Sequence, residues 1–93
     1  FDADEALTMG LVLSVTKPAH LMSTANELAL KIAEKPPQAL RLTKRLMKLA
    51  QRQELPDFLE LCAVFQGVCH NTGDHLEAVA AFLEKRPPKF QGS

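Results

Sequence analysis

Three histidines and two cysteines carry the ligating and nucleophilic chemistry of this chain, and their spacing decides whether they can use it. A transition-metal site on a helix needs ligands one turn apart, as in HxxxH, or a CxxC knuckle. His20, His70 and His75 make no such pair, and no CxxC occurs. Cys69 and His70 are neighbours whose side chains would leave a helix about 100° apart. A Cys–His nucleophile would also need a third group to orient the imidazole, and an oxyanion site. Neither is suggested by the surrounding residues, so these five read as core or surface positions and the chain is expected to hold no metal and no catalytic residue.

Asp74 and Glu77 lie one helical turn apart and have the makings of an acid–base pair. The same spacing is that of a helix-capping box, in which carboxylates meet the free amides at the positive end of a helix. Capping accounts for both positions, and Asp2 with Glu5 repeats the pattern.

The cations are distributed unevenly. Residues 35–52 hold six of the eleven Lys and Arg and no acid. Such a stripe is able to meet phosphates, an acidic partner or an anionic lipid surface, but its plainer reading is a solvated outer face. With no aromatics interleaved for base stacking, and a chain that is neutral overall, nucleic-acid binding is not expected. A second cluster sits in "AVAAFLEKRPPKF", residues 78–90. Lys85 and Arg86 suit a helix C-terminus, where the dipole favours a cation by about 0.3–1 kcal/mol. Phe82 precedes them by three and four residues, so a ring and a cation can project side by side, a pair suited to a flat ring bearing phosphate.

The elements that must position these groups are punctuated clearly. Asp2 as N-cap, Glu5 at the box position and Gly10 as the stop predict a short helix over 3–9. "LVLSV", 11–15, is the one strand-like run. A single strand cannot satisfy its own amides, so it is either a plain extended linker or has partners outside this chain. From Pro18 onward Leu21, Ala25, Leu28, Ala29, Ile32 and Ala33 recur at helical spacing, and "EKPPQ" ends that helix. A third helix begins near Pro37, with Ala39, Leu42, Thr43, Leu46, Leu49 and Ala50 on one side. Arg41, Lys44, Arg45, Lys48 and Arg52 take the other side. Pro56 opens a fourth, with Leu55, Phe58, Leu59, Cys62, Phe65 and Cys69 facing a core, and Asn71 to Gly73 mark its end. The last helix is expected to be capped by Asp74, to bury Leu76, Val79, Ala80 and Leu83, and to stop at Pro87 and Pro88. The fold class is therefore all-α: a short helix and an extended segment followed by four substantial helices, joined by short connections that imply antiparallel neighbours.

At 93 residues, 46% apolar and with 11 basic balanced by 11 acidic residues, the chain is one domain at most. A domain of this size buries only about 60–65% of the surface its unfolded form exposes. Cys62 and Cys69, seven apart on a helix, have Cα atoms roughly 10 Å apart, too far for a disulfide. Unpaired thiols, no signal-peptide pattern and no twenty-residue apolar run predict a soluble protein of a reducing compartment, the cytoplasm or one such as the mitochondrial matrix, with no membrane partner. The first residue is Phe1 rather than Met, as expected for a piece of a longer chain.

Three stretches, "ADEALTMGLVLSV", "LALKIAEKPPQALRLTKRLM" and "DHLEAVAAFLEKRPPKFQG", in that order and at those intervals, together resemble the C-terminal third of the enoyl-CoA hydratase/isomerase, or crotonase, family. The resemblance covers essentially the whole chain. It implies that residues 1–16 end a mixed spiral core that carries the active site, and that 17–93 are a helical oligomerisation domain building trimers, often paired into hexamers. It implies a parent acting on an enoyl-CoA or related acyl-CoA thioester by hydration or isomerisation, with the oxyanion hole and the acid–base glutamates in the upstream core. On that reading no catalytic residue and no cofactor belongs to this chain, which alone is expected to be inactive.

By the same resemblance "GLVLSV" is a strand of the absent sheet. Phe82 and Lys85, matching the "AFxEK" motif, reach the adenine and phosphate end of the CoA of a neighbouring subunit. In "FLELCAVFQ", Cys62 stands where many relatives have Glu, which implies local apolar repacking. The alternative from the residues alone is a stand-alone helical module that binds a protein or an acyl-CoA through an apolar groove and the basic stripe. The lack of Tyr and Trp argues against kinship with the small acyl-CoA binders. If the first reading holds, the isolated chain should expose apolar helix faces and self-associate or exchange domains.

Overall fold

A computed structural model describes all residues, 1–93. It contains five α-helices: α1 (Ala3–Thr8), α2 (Leu21–Ala33), α3 (Pro37–Leu49), α4 (Leu55–His70) and α5 (Gly73–Glu84), with a 3₁₀ turn at Pro18–His20 leading into α2. The all-α class and the order of elements agree with the sequence pattern. The chain divides into two compact units, Phe1–Ile32 and Ala33–Ser93.

In the first unit the capping box forms as the residues predict. Asp2 Oδ1 accepts from the Glu5 amide at 2.8 Å, and Glu5 Oε2 accepts from the Asp2 amide at 2.9 Å. Gly10, at φ +73°, ends the helix in the left-handed region. The Leu11–Val15 run makes no strand. Within this chain it passes through bends into irregular backbone. Its branched residues favour a pleated surface, but no second strand supplies the ladder. Leu11, Val12, Leu13 and Val15 are exposed, as are Leu21, Leu28 and Ile32 on the face of α2 that the spacing marked for burial. Between them runs a cavity of about 560 Å³ lined by Ala6, Val12, Leu13, Val15, Leu21 and Leu28 among others.

In the second unit α4 packs against both α3 and α5. The faces of α3 separate as its sequence requires. Ala39, Leu42, Leu46 and Leu49 are half-buried, whereas Arg41, Lys44, Arg45 and Lys48 are exposed. Arg45 is not purely solvated, since its guanidinium carbon lies 5.5 Å from the centroid of the Phe65 ring. On α4 the half-buried side is Phe58, Leu61, Cys62, Phe65 and Cys69, while Leu55 and Leu59 stay exposed. Cys62 thus sits among apolar neighbours on its own helix, where a carboxylate would need a partner to offset its desolvation. Both thiols are free and half-buried.

Helix α5 departs most from expectation. Leu76, Val79 and Leu83, predicted to be buried, are exposed, Leu76 at 70% and Leu83 at 73%. The buried positions are Asp74 and Ala81, which at 100° per residue lie nearly opposite the Leu76–Leu83 stripe. The periodicity is correct, but nothing in this chain covers the stripe. What covers the opposite face instead is the chain's own C-terminal tail.

Candidate functional site

The tail, residues 85–93, is held by the two carboxylates that the sequence suggested were caps. Thr72, not Asp74, is the N-cap of α5: its Oγ1 accepts from the His75 amide at 3.2 Å and donates to the Cys69 carbonyl at 2.6 Å, closing α4 and opening α5 together. Asp74 is 2% exposed. Its Oδ1 accepts from the Gln91 amide at 2.7 Å and its Oδ2 from the Gly92 amide at 2.9 Å. Its own amide, one of the donors a helix start leaves free, is met by the Ser93 carbonyl at 3.1 Å. Gly92 reaches this position with φ +78°, a conformation in which a Cβ would be strained.

Glu77 is the second holding point rather than the end of a capping box. It accepts a fork from Arg86, Nη1 to Oε1 at 2.6 Å and Nη2 to Oε2 at 2.9 Å, and its Oε1 also accepts from the Lys89 amide at 2.7 Å. These bonds hold the Glu77 carboxyl down to about 2 against an ordinary 4.5, the Arg86 fork first and the Lys89 amide second. Arg86 is pushed upward by the same fork and by Glu84, whose Oε2 accepts from Nε at 2.6 Å. A bidentate Arg–carboxylate pair fixes orientation as well as charge. The dipole reading of Arg86 is therefore incomplete, because its guanidinium is committed to carboxylates.

Phe82 and Lys85, the pair singled out by spacing and by resemblance, both lie at the exposed end of α5. Phe82 is 82% exposed. Lys85 has left the helix, at φ 55° and ψ 40°, so helical spacing no longer sets the direction of its side chain. Its amide donates to the Phe82 carbonyl at 3.3 Å, and the Arg86 amide to the Ala81 carbonyl at 3.0 Å, the paired bonds of a Schellman turn. Glycine is the usual residue at the left-handed position of that turn.

His70 and His75 meet across the α4–α5 junction with ring centroids 4.6 Å apart, a proximity their five-residue separation does not announce. No three His, Cys, Asp or Glu side chains are grouped to hold a metal ion. No helix is long and apolar enough to cross a membrane.

The model of the enoyl-CoA hydratase/isomerase family matches residues 1–93, end to end. The chain belongs to that family. It is 39% identical over 90 residues to the short-chain-enoyl-CoA hydratase of Clostridium acetobutylicum, covering 97% of this chain and 34% of that protein. Against the 1,2-epoxyphenylacetyl-CoA isomerase of Escherichia coli it is 33% identical, again over 97% of this chain and 34% of the relative. A crystal structure of enoyl-CoA hydratase from Bacillus anthracis superposes with a TM-score of 0.92 at 35% identity, covering 98% of this chain and 35% of that one. The chain thus spans about a third of the length of the enoyl-CoA hydratase/isomerase proteins it matches.

Proposed function

We propose that this chain is the C-terminal helical segment of an enoyl-CoA hydratase/isomerase. Residues 1–16 close the catalytic core, and 17–93 form the part through which subunits assemble as trimers or hexamers. In this reading Phe82 stacks on the adenine, and Lys85 meets a phosphate, of an acyl-CoA bound by a neighbouring subunit. The oxyanion amides and the acid–base glutamates lie outside these 93 residues. Family members matching at similar identity are named for hydration and for isomerisation, so the proposal is for CoA-thioester chemistry rather than for one of the two reactions.

The observation that carries the reading is the inverted burial of α5. Its apolar stripe of Leu76, Val79 and Leu83 faces outward beside the exposed Phe82, as a helix does when its partner is another polypeptide. Membership in the enoyl-CoA hydratase/isomerase family supports taking that polypeptide to be the core of the same enzyme or a second copy of it. The test is to incubate the 93-residue chain with crotonyl-CoA and to follow its mass by light scattering. Hydration at background and self-association are expected. Robust turnover would overturn the placement of catalysis elsewhere, and a well-behaved monomer at high concentration would overturn the assembly role.

A further inference from the structure

Lys85 occupies a conformation that costs it something glycine would not pay, and the same chain contains the control. At the end of α1 the Gly10 amide donates to the Leu7 carbonyl and the Leu11 amide to the Ala6 carbonyl, at 3.0 and 2.9 Å. At the end of α5 Lys85 and Arg86 make the same two bonds to Phe82 and Ala81, at 3.3 and 3.0 Å. The first turn uses the residue with no Cβ penalty, and the second keeps a lysine at φ 55°. Both backbones are satisfied equally, so what Lys85 adds is its side chain. A residue held in a sparsely populated region persists where its surroundings over-determine it, and such positions cluster at ligand contacts.

What over-determines it is the neighbouring residue. Arg86 is fixed at its amide by Ala81 and at its guanidinium by the two-bond fork on Glu77, which also binds the Lys89 amide. Of the tail's two adjacent cations, Arg86 is thereby committed to carboxylates, whereas no ion pair engages Lys85. We propose that Glu77 is a positioning residue for the phosphate contact of Lys85, acting through the guanidinium of Arg86. The fork holds residue 86 so that residue 85 cannot relax to ordinary backbone angles and change the direction in which its side chain leaves the end of α5. This rests on the CoA reading given above, and it assigns to Glu77 a task beyond holding the tail.

The experiment compares KM for crotonyl-CoA and for crotonyl-pantetheine, which lacks the nucleotide, in the complete enzyme carrying this segment. Lys85→Ala is expected to raise KM for crotonyl-CoA about tenfold, the scale of one lost charge-assisted hydrogen bond. Glu77→Gln is expected to raise it about threefold, with a smaller rise for crotonyl-pantetheine, and to add nothing when placed on Lys85→Ala. Equal rises on the two substrates, or losses that multiply in the double variant, would make Glu77 merely structural and overturn the inference. An unchanged KM in Lys85→Ala overturns the CoA reading itself and the inference with it. Should Glu77→Gln fail to fold, Arg86→Lys, which keeps a cation but not the fork, is read by the same criteria.

Discussion

Helices α1 and α5 end in the same pair of backbone hydrogen bonds, yet the chain beyond them behaves differently. After Gly10 come Leu11, Val12, Leu13 and Val15, exposed and without a ladder. After Lys85 comes a tail fastened at Arg86, Lys89, Gln91, Gly92 and Ser93 to Glu77 and Asp74. Irregular backbone can be ordered inside one small chain by charge-assisted hydrogen bonds, which need only a few well-placed atoms. An apolar segment needs area to bury, and 93 residues do not supply enough of it. The left-handed residue differs as well: glycine ends α1 and lysine ends α5.

Three measurements test this contrast. Removing the Asp74 carboxylate as Asp74→Ala should have the largest effect. It leaves two amides without their ionised acceptor, at a cost of about 3 kcal/mol. Amide exchange at Gln91 and Gly92 should rise to the level of residues 11–15, and a tail still protected in that variant would show that Asp74 is not what holds it.

Exchanging the two left-handed residues comes second. Lys85→Gly should stabilise the second unit by about 0.5–1 kcal/mol, the left-handed strain removed less the added entropy of glycine. Gly10→Lys should destabilise α1 by a similar amount, since nothing lies within 4 Å of its missing Cβ and only backbone strain is added. Urea unfolding reads both, and shifts of the same sign would end the comparison.

Acid gives the smallest effect and the most local one. The Glu77 carboxyl is lowered, so its contribution is fully present above its ordinary value of 4.5 and fades as pH falls toward about 2. The Lys89 amide resonance should follow that window, with its midpoint near the lower end. A midpoint near 4.5 would mean that the fork does not persist in solution.

Much of the fold was legible in the residues because its signals are local. The Asp2–Glu5 box, the starts at Pro37 and Leu55–Pro56 and the two faces of α3 each depend on contacts within four residues, where spacing and side-chain chemistry suffice. Of the candidate site, the position of Phe82 and Lys85 at the end of α5 was legible, but the left-handed backbone at Lys85 was not, since spacing assumes that the helix continues. The roles of Asp74 and Glu77 were not. Two capping residues, Thr72 and Asp74, stand two positions apart, and local pattern cannot say which one caps. The choice is made by amides 17 and 18 residues downstream, which claim Asp74 and leave the cap to Thr72.

Local pattern was enough for the number and order of the helices, the family the chain resembles, and the one apolar stripe of α5, because propensity and periodicity act between near neighbours. Which way that stripe turns, and which carboxylates hold the tail, emerged with folding. Those outcomes depend on which distant surfaces are present to compete for each face, and on atoms that only folding brings within hydrogen-bond reach.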